Sequence, residues 1–394
     1  MLLKLILVVE WLIVRLFSAI VPQRKLADEN RLLLTGNFYS EAWIRSQLEV
    51  FEHSCKVKEV YMVAENPVPD IAKVTALYAP AWLNRVLGKD IARLVYFGWT
   101  AIRLRPQVLG GFHLLLNGLF AVLFAKLVGA RAVYICGGGI REVLGGGYTT
   151  ENRIFGRLKH AEPGVEKLLH KLVRCFDYVV VRGSKAKHYF VNEVAVESSN
   201  VHIITAGIDT KRFAPASQYE RSFDMVFVGR ISEVKRLHLV IEALAIINKQ
   251  KEASLLVVGD GPDREAMEEL ADKLGVAEQV TFAGWQTEVE KFLNQSRLFL
   301  LTSSSEGLSQ AMLQAMLSGL PALVSDVGDL GDVVVDGENG YLLEPCEPGL
   351  IAEKVMSLLN DPPTYKKMAT SARDAALDYD IVKVSERWDR MLSR

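Results

Sequence analysis

Residues 303–326, with the sequence SSSEGLSQAMLQAMLSGLPALVSD, show apolar positions at helical spacing beside two apolar runs. One helical face is formed by four residues: Leu308, Met312, Ala315 and Met316. The Gly-Leu-Pro sequence at 319–321 is a stop signal, so a helix is predicted to begin near Glu306 and to end there. The apolar runs at 299–303 and 321–326 predict buried strands, which makes this segment one βαβ unit. Exposed N–H groups at the start of such a helix favour an anion.

The same alternation of apolar strands and amphipathic helices continues through most of the chain. In the first half, five runs predict strands: RLLLTGN, VKEVYMVA, RAVYICGGG, FDYVVVRGS and VHIITAG. In the second half, four further runs do so: FDMVFVG, SLLVVGDGP, VTFAGW and RLFLLTS. Because helices alternate with these strands, each half is predicted to be an open α/β domain, and the two domains are expected to face each other across a cleft.

These patterns divide the chain into four parts. Residues 1–25 form an apolar segment, and the two α/β domains are predicted at 30–215 and 220–375. Residues 376–394 are predicted to be a helical tail that returns to the first domain. A chain of 394 residues is long enough for two such domains, each with its own core.

The N-terminal sequence MLLKLILVVEWLIVRLFSAIV is about as long as a membrane-spanning helix, but it contains Lys4, Glu10 and Arg15. Charges near the centre of a spanning helix are costly, so a helix lying in the membrane interface is favoured. A true span, or an apolar helix buried in the protein or a dimer, are the alternatives. The basic residues that follow would keep the rest of the chain cytoplasmic even if the segment spans: Arg24, Lys25 and Arg31.

A second segment, at 80–109, combines tryptophans with arginines and lysines and is predicted to be helical. A basic, aromatic helix of this kind can lie on anionic lipid, although a core helix with a solvated basic face has the same composition. Because the N-terminal segment also suggests a membrane surface, the two features support each other. The glycine-rich sequence at 135–152 is predicted to be a mobile loop.

Charge and cysteine content narrow the class of protein. The formal net charge is -1, and no run of basic residues with interleaved aromatics suggests a nucleic-acid groove. The four cysteines are far apart and form no CxxC pair, which argues against a zinc site or a disulfide framework. The composition therefore indicates a protein of the reducing cytosol that does not bind nucleic acid.

Two predicted strand-to-helix turns carry candidate anion-binding groups. Arg230 and Lys235 lie five residues apart around one turn, so both cationic groups can reach a single anion at the strand ends, and diphosphate suits this pair. Gly36 and Asn37 lie at another turn, in the first half of the chain. They suit either a phosphate pocket lined by backbone N–H groups or an ordinary βα turn.

Five motifs in order make residues 222–344 resemble the retaining GT-B glycosyltransferases of the family 4 group. The motifs are GRISEVK, LLVVGDGP, VTFAGW, EGLSQAMLQAMLSGLPALVSDVGD and VVVDGENGYLLEP. The segment ITAGIDTKRFAP at 204–215 is also similar to the interdomain stretch of that family. The resemblance covers the second domain well and the first only loosely. It implies a GT-B fold, in which two Rossmann-like domains bind acceptor and nucleotide-sugar donor respectively, here with an extra apolar N-terminal helix.

The resemblance also implies roles for individual residues. Arg230 and Lys235 would bind the donor diphosphate, and Glu306 would contact the transferred sugar. The backbone of three residues would support the phosphate or the sugar: Gly307, Leu308 and Ser309. The family carries Glu-x7-Glu on this helix, but this chain has Gln314 in place of the second acid. Gln314 could still bind the ribose, or it could be an ordinary exposed polar residue.

In the first domain, His113 falls approximately where the resemblance places an active-site histidine, which could donate to the sugar or the leaving phosphate. A structural histidine is the alternative. No Asp-x-Asp sequence follows a predicted strand, since Asp378-Tyr379-Asp380 lies in the helical tail. No metal and no other cofactor is therefore expected, and the Arg230/Lys235 pair would neutralise the leaving diphosphate instead.

Taken together, these features predict a retaining glycosyltransferase that is peripheral on the inner face of the cytoplasmic membrane. Its expected partners are a nucleotide sugar, the membrane surface and a lipid-linked or other amphiphilic glycan acceptor, as in exopolysaccharide, glycolipid or cell-envelope glycan synthesis. Two alternatives remain open at this stage: a GT-B nucleotide-sugar epimerase, and a non-catalytic membrane-associated scaffold.

Overall fold

The computed structural model describes residues 2–38, 40–146 and 160–394, and the chain divides into two compact units. Unit 1 comprises residues 1–207 and 381–394, and unit 2 comprises residues 208–380. The division therefore falls at 207/208 instead of between 215 and 220, because Ile208 and Phe213 are buried in the core of unit 2. The last helix of the chain belongs to unit 1.

Unit 1 is built on a parallel sheet, which in the described part of the chain has seven strands in the order β3-β2-β1-β4-β5-β6-β7. The strands are β1 (Asn30–Thr35), β2 (Val57–Val63), β3 (Val74–Leu77), β4 (Val108–Phe112), β5 (Arg131–Ile135), β6 (Tyr178–Val181) and β7 (Val201–Ile203). Alternation along β1 places Leu33 in the core on one side of the sheet and Leu32 and Leu34 in the core on the other. Helices therefore cover both faces.

The helices of unit 1 follow from the apolar periodicity of the sequence. They are α1 (Leu2–Ile20), α2 (Glu41–Leu48), α3 (Ala81–Leu87), α4 (Lys89–Leu104), α5 (Leu119–Val128), α6 (Pro163–Val173), α7 (Ser184–Asn192) and the last helix of the chain, α14 (Ile381–Leu392). The Ser40 side chain caps α2 by accepting a hydrogen bond from the Trp43 N–H. The segment predicted as one basic helix at 80–109 is two helices, because Gly88 adopts φ +75° between α3 and α4.

Helix α1 packs on unit 1 by one face only. Leu7 and Val14 are fully buried in the same core as α5 and α6, and α1 contacts both of those helices. The opposite face leaves eight large apolar side chains exposed, which we call the apolar stripe of α1: Leu2, Leu5, Ile6, Val9, Leu12, Ile13, Leu16 and Ile20. Among the described residues, no helix is long and apolar enough to cross a membrane.

Unit 2 is built on a second parallel sheet, with six strands in the described residues and the order β10-β9-β8-β11-β12-β13. The strands are β8 (Phe223–Val228), β9 (Leu255–Val258), β10 (Val280–Gly284), β11 (Ser296–Leu301), β12 (Ala322–Ser325) and β13 (Gly340–Leu343). The helices are α8 (Leu237–Ile247), α9 (Arg264–Lys273), α10 (Val289–Asn294), α11 (Gln310–Leu317), α12 (Pro348–Asn360) and α13 (Pro362–Ala376). Two buried apolar clusters, one on each face of the sheet, form its core.

One expectation about local structure is wrong. The helix predicted to start near Glu306 starts at Gln310, because Ser309 is the N-cap and its Oγ accepts a hydrogen bond from the Met312 N–H. In the glycine-rich segment at 135–152, Gly139, Gly145 and Gly146 are buried in short turns, and the mobility of this segment remains a prediction. The remainder of that segment, from residue 147, lies outside the described residues.

Candidate functional site

The candidate donor site of unit 2 lies in loops at the carboxyl ends of β8, β9, β11 and β12. These loops approach one another so closely that glycine is required at two positions. A Cβ on Gly259, which adopts φ +139°, would lie 1.9 Å from the Gly229 carbonyl oxygen. A Cβ on Gly328, at φ +55°, would lie 2.1 Å from the Glu306 carbonyl oxygen. The GDGP and SDVGD motifs therefore position backbone at the edge where open α/β sheets bind ligands.

Lys235 and Glu306 are brought together at this edge. The Lys235 ammonium contacts the Glu306 carboxylate directly, and the Ser303 hydroxyl donates to the same carboxylate over 2.6 Å. Their side chains are 24% and 12% exposed, so both groups remain accessible. The neighbouring Arg236 holds the loops together by donating to the Thr302 carbonyl at 2.6 Å and the Ser303 carbonyl at 3.1 Å.

The segment that contains Gly307, Leu308 and Ser309 is fixed from both sides. On one side the Ser304 N–H donates to the Val234 carbonyl over 2.8 Å. On the other, the Asp329 N–H donates to the Gly307 carbonyl over 3.0 Å, and the Ser325 hydroxyl donates to the Ser303 carbonyl over 2.7 Å. These hydrogen bonds therefore fix the position of the backbone at 307–309.

Two further predicted donor residues lie on the same elements. Arg230 is exposed in the loop after β8, five residues before Lys235. Gln314 is partly buried in α11, the helix that Ser309 caps. Their predicted roles, like those of Lys235, Glu306 and residues 307–309, remain predictions.

Unit 1 presents a second cluster, at the carboxyl end of β4. His113 follows this strand with φ 64°, and its Nδ1 lies 2.8 Å from Glu142 Oε1. The imidazole is 43% exposed and stacks on the Trp43 ring, with 6.5 Å between centroids. His113 is therefore held by a carboxylate on one edge and an aromatic ring on one face.

Glu142 is the residue that sequence reasoning missed. Besides His113, its carboxylate accepts hydrogen bonds from the Tyr134 hydroxyl at 2.7 Å, the Leu114 N–H at 2.9 Å and the Gly138 N–H at 2.5 Å. Burial raises the pKa of Glu142, but the charge of His113 and these hydrogen bonds outweigh burial and lower the pKa to about 2. A lone acid in a glycine-rich run after a buried strand was the signal available in the sequence.

Gly36 and Asn37 lie at the carboxyl end of β1, the strand next to β4. A Cβ on Gly36 would lie 2.8 Å from the Phe112 Cβ, so close packing explains this glycine. The Asn37 amide donates to Asp90 over 3.1 Å. Both residues thus share the carboxyl edge of the sheet with His113, and both have structural contacts, while a phosphate-binding role remains a prediction.

Within the described residues, no group of three or more histidine, cysteine, aspartate or glutamate side chains could hold a metal ion. All four cysteines are unpaired thiols: Cys55, Cys136, Cys175 and Cys346. Burial raises the pKa of Cys136 well above its ordinary value, and its thiol donates to the Gly139 carbonyl. Cys136 therefore has a structural contact in the loop that carries Glu142.

The region that contains the second sheet is similar to known proteins. Residues 209–375 match the family model described as Glycosyl transferases group 1. N-acetyl-alpha-D-glucosaminyl L-malate synthase of Bacillus anthracis is 32% identical over 154 residues, which is 39% of this chain and 40% of the relative. The putative glycosyltransferase EpsD of Bacillus subtilis is 26% identical over 242 residues, 56% of this chain and 61% of the relative. The chain thus spans less than two thirds of the length of these relatives.

Solved structures show the same fold at low sequence identity. The Anabaena protein HepE in complex with UDP has a TM-score of 0.71 at 16% identity, covering 92% of this chain and 99% of HepE. Sucrose-phosphate synthase from Thermosynechococcus elongatus has a TM-score of 0.74 at 14% identity, covering 92% of this chain and 98% of that chain. The predicted GT-B fold, with two Rossmann-like parallel sheets, is confirmed, and so is the resemblance of the second domain to group 1 glycosyltransferases. Retention of the anomeric configuration and membership of the family 4 group remain predictions.

Proposed function

Because residues 209–375 are a glycosyl transferases group 1 domain, we propose that this chain transfers a sugar, with retained anomeric configuration, from a nucleotide sugar to an amphiphilic acceptor. The observation that carries the proposal is the contact between Lys235 and Glu306 at the carboxyl edge of the second sheet. A cation beside a carboxylate suits a donor whose diphosphate is anionic and whose sugar carries hydroxyl groups. The UDP bound by HepE makes uridine diphosphate the first leaving group to test.

In the proposed reaction, the bond between the sugar anomeric carbon and the diphosphate oxygen breaks, and a bond from the acceptor oxygen to that carbon forms on the same face. The acceptor hydroxyl proton passes to the leaving diphosphate, so atoms and charge balance. Lys235 and Arg230 stabilise the growing negative charge on the diphosphate. Glu306 holds sugar hydroxyls and stabilises the positive charge that grows on the sugar. The N–H groups at 307–309 support the phosphate or the sugar.

We further propose that His113 takes part in this reaction as a hydrogen-bond donor and that Glu142 positions it. An ionised Glu142 accepts from Nδ1–H, which fixes the orientation of the ring. The other three donors to Glu142 hold the carboxylate in place.

The proposed acceptor is lipid-linked, and the proposed location is the surface of the cytoplasmic membrane. Two exposed apolar surfaces of unit 1 support this proposal. One is the apolar stripe of α1, and the other lies on α3 and α4, where Trp82, Val86 and Trp99 are exposed beside Arg85 and Arg103. Helices α1 and α4 both pack against α5, so the two surfaces lie on the same side of the sheet. Apolar side chains beside basic ones suit a surface of anionic lipid.

The membrane proposal is tested with three serine substitutions in the apolar stripe of α1: Ile6→Ser, Val9→Ser and Ile13→Ser. A matched control carries three serines at exposed apolar positions elsewhere: Leu274→Ser, Val335→Ser and Val382→Ser. In vesicle flotation we expect the stripe variant to lose most of its binding and the control to keep it, since burial of apolar area drives insertion. Equal binding of the two variants would contradict the proposal.

The reaction is tested by incubating the protein with labelled nucleotide sugars and a membrane extract. Label in the organic-extractable fraction supports transfer to a lipid-linked acceptor. Label that stays in a chemically altered free nucleotide sugar supports epimerisation, and label that stays in the unchanged donor supports a non-catalytic scaffold. The last two outcomes overturn the proposed function.

A further inference from the structure

Unit 1 has an open pocket of about 670 Å³ that the proposed reaction does not use. We call it the amino-edge pocket, and the lining residues that carry the argument are Arg15, Lys126, Arg131, Arg174, Asp177 and Asn200. Arg131 begins β5, Asp177 directly precedes β6, and Asn200 directly precedes β7. In a parallel sheet, these positions mark the amino edge, opposite the carboxyl edge that carries His113 and Gly36. The pocket is therefore distinct from the candidate site of this unit.

The amino-edge pocket has an excess of positive charge. Asp177 is shared by two cations, with the Lys126 ammonium at 2.8 Å and the Arg131 guanidinium at 3.8 Å. Arg15 and Arg174 have no carboxylate within ion-pair distance among the described residues. A site lined by several cations suits a phosphate group, which accepts several charge-assisted hydrogen bonds.

Helix α1, which carries the apolar stripe, also lines the pocket. The last two turns of that helix supply Arg15, Ser18 and Ala19 to the pocket. The same turns present Leu16 and Ile20 to the outside, with 56% and 61% of their surfaces exposed. A ligand with a phosphate head and hydrocarbon chains matches both surfaces at once, since the head would enter the pocket and the chains would follow the stripe.

From this juxtaposition we propose that the amino-edge pocket binds the phosphate of an anionic phospholipid. The inference rests on the membrane association in the proposed function, and it adds the headgroup class and the residues that recognise it. The pocket makes binding selective for anionic lipid, while the stripe supplies affinity for any bilayer.

The test compares flotation of the full chain with phosphatidylglycerol vesicles and with phosphatidylcholine vesicles of the same size. The pocket variant carries Arg15→Gln and Arg174→Gln. Its control, Lys58→Gln with Lys249→Gln, removes two charges from exposed positions outside the pocket. Because the two arginines are basic groups at an anionic surface, the pocket variant should bind phosphatidylglycerol about tenfold or more weakly. Its binding to phosphatidylcholine, and all binding by the control, should change by less than about twofold.

Three results would overturn the inference. Equal loss in the pocket and control variants would mean that diffuse charge, and not the pocket, selects the lipid. Unchanged phosphatidylglycerol binding by the pocket variant would show that these arginines do not bind the lipid headgroup. Binding of inorganic phosphate by the wild type and not by the pocket variant, with equal vesicle binding, would assign the pocket to a soluble anion.

The failure of this inference is distinguishable from failure of the proposed function. Each variant is also tested for uridine diphosphate binding and for transfer to a detergent-solubilised acceptor, which should match the wild type because the pocket lies at the opposite edge of its sheet. Loss of lipid selectivity with intact transfer supports the inference. Loss of transfer together with a lowered melting temperature in the pocket variant would contradict it, since the arginines would then be structural.

Discussion

At the scale of single residues, the Lys235 ammonium contacts the Glu306 carboxylate, so each group balances the charge of the other. A diphosphate that approaches Lys235 therefore competes with a carboxylate that is already there. The two residues have different proposed roles. Lys235 attracts the donor diphosphate, whereas Glu306 contacts the sugar and weakens the attraction of Lys235 for diphosphate. Substitutions at the two positions should consequently have opposite effects on donor affinity.

The first prediction concerns Lys235→Ala. Loss of the ammonium removes a charge-assisted contact to diphosphate and leaves Glu306 without its cation, so uridine diphosphate should bind more weakly by about 1.5–3 kcal/mol. Calorimetric titration measures the change. The exposed Lys249→Ala on the same unit is the control and should bind as the wild type does. Identical affinities for the two variants would remove Lys235 from the donor site.

The second prediction separates Glu306 from Gln314. Glu306→Gln should lower kcat by about 10²-fold or more, because the lost charge acts mainly in the transition state. Its affinity for uridine diphosphate should be unchanged or higher, because a negative charge beside the diphosphate is gone. Gln314→Glu should change mainly the donor KM, by about tenfold or less, as expected for one hydrogen-bond partner.

Steady-state kinetics and calorimetry on both variants decide this assignment. Near-normal turnover by Glu306→Gln, or turnover abolished by Gln314→Glu alone, would show that the roles are wrongly assigned.

The third prediction concerns Glu142. Its pKa in the folded protein, about 2, is below its ordinary value of 4.5, so ionised Glu142 stabilises the fold above pH 4.5, and this contribution is lost as pH falls towards 2. Glu142→Gln should therefore be less stable than the wild type at pH 7 and closer to it near pH 2.5. Denaturant titrations at the two pH values measure the difference, with the exposed Glu197→Gln as control.

A positioning role for Glu142 also predicts a kinetic result that a purely structural role would not give. Glu142→Gln should lower kcat by roughly tenfold or more and displace the pH–rate profile, while donor KM stays unchanged. Tyr134→Phe removes only one of the donors to Glu142 and should have a smaller effect. An unmoved pH profile would mean that Glu142 does not act through His113.

At the scale of secondary structure, α1 has a buried carboxylate as well as an apolar stripe. Glu10 Oε1 is buried and has no hydrogen-bond partner among the described residues, and burial raises the pKa of Glu10 to about 7. The folded protein therefore holds this proton more tightly than the unfolded chain. The stabilisation that protonated Glu10 gives is complete below pH 4.5 and is lost as pH rises towards 7.

The fourth prediction follows from this loss of stability as pH rises. Glu10→Gln stays neutral at every pH, so it should stabilise α1 by up to about 3 kcal/mol at pH 8 and have little effect at pH 4. Amide hydrogen exchange of α1 at both pH values reports the docking of this helix without requiring global unfolding. Glu29→Gln, at an exposed position in the linker after α1, is the control. Equal protection of α1 in the wild type and Glu10→Gln at pH 8 would contradict the argument.

The sequence predicted the strands correctly where they are uninterrupted apolar runs, as in β1 and β8. It failed to predict a strand where glycine interrupts the apolar run. Strand β4 was missed because Gly110 and Gly111 occupy its centre, although the strand is buried throughout. The start of α11 was placed too early because Glu306 resembles a first-turn acid, whereas the Ser309 side chain makes the cap.

The candidate site residues were likewise predicted only in part from the sequence. Motif spacing was enough to place Lys235 and Glu306 at one edge of the sheet, because both follow strands that point the same way. Glu142 could not be predicted, since its contact with His113 depends on the path of an irregular loop across 29 residues of sequence.

At the scale of the whole molecule, the proposed catalytic and lipid-binding features lie on different parts of the two units. The carboxyl edge of unit 2 carries the proposed donor site, and the carboxyl edge of unit 1 carries the His113–Glu142 pair. The helices α1 and α4 of unit 1 present apolar surface, and its amino edge carries the basic pocket. Proposed catalysis and proposed lipid binding thus depend on different residues, so each can be removed without the other.

The central claim is that this chain is a nucleotide-sugar-dependent glycosyltransferase whose donor site contains Lys235 and Glu306. The most direct test is acceptor-dependent release of nucleoside diphosphate from a panel of nucleotide sugars, measured for the wild type and for Lys235→Ala combined with Glu306→Gln. The wild type should release diphosphate from at least one donor only when a lipid-linked acceptor is present, and the double variant should show a rate at least about 10²-fold lower. No release by the wild type from any donor, or equal release by the double variant, would contradict the claim.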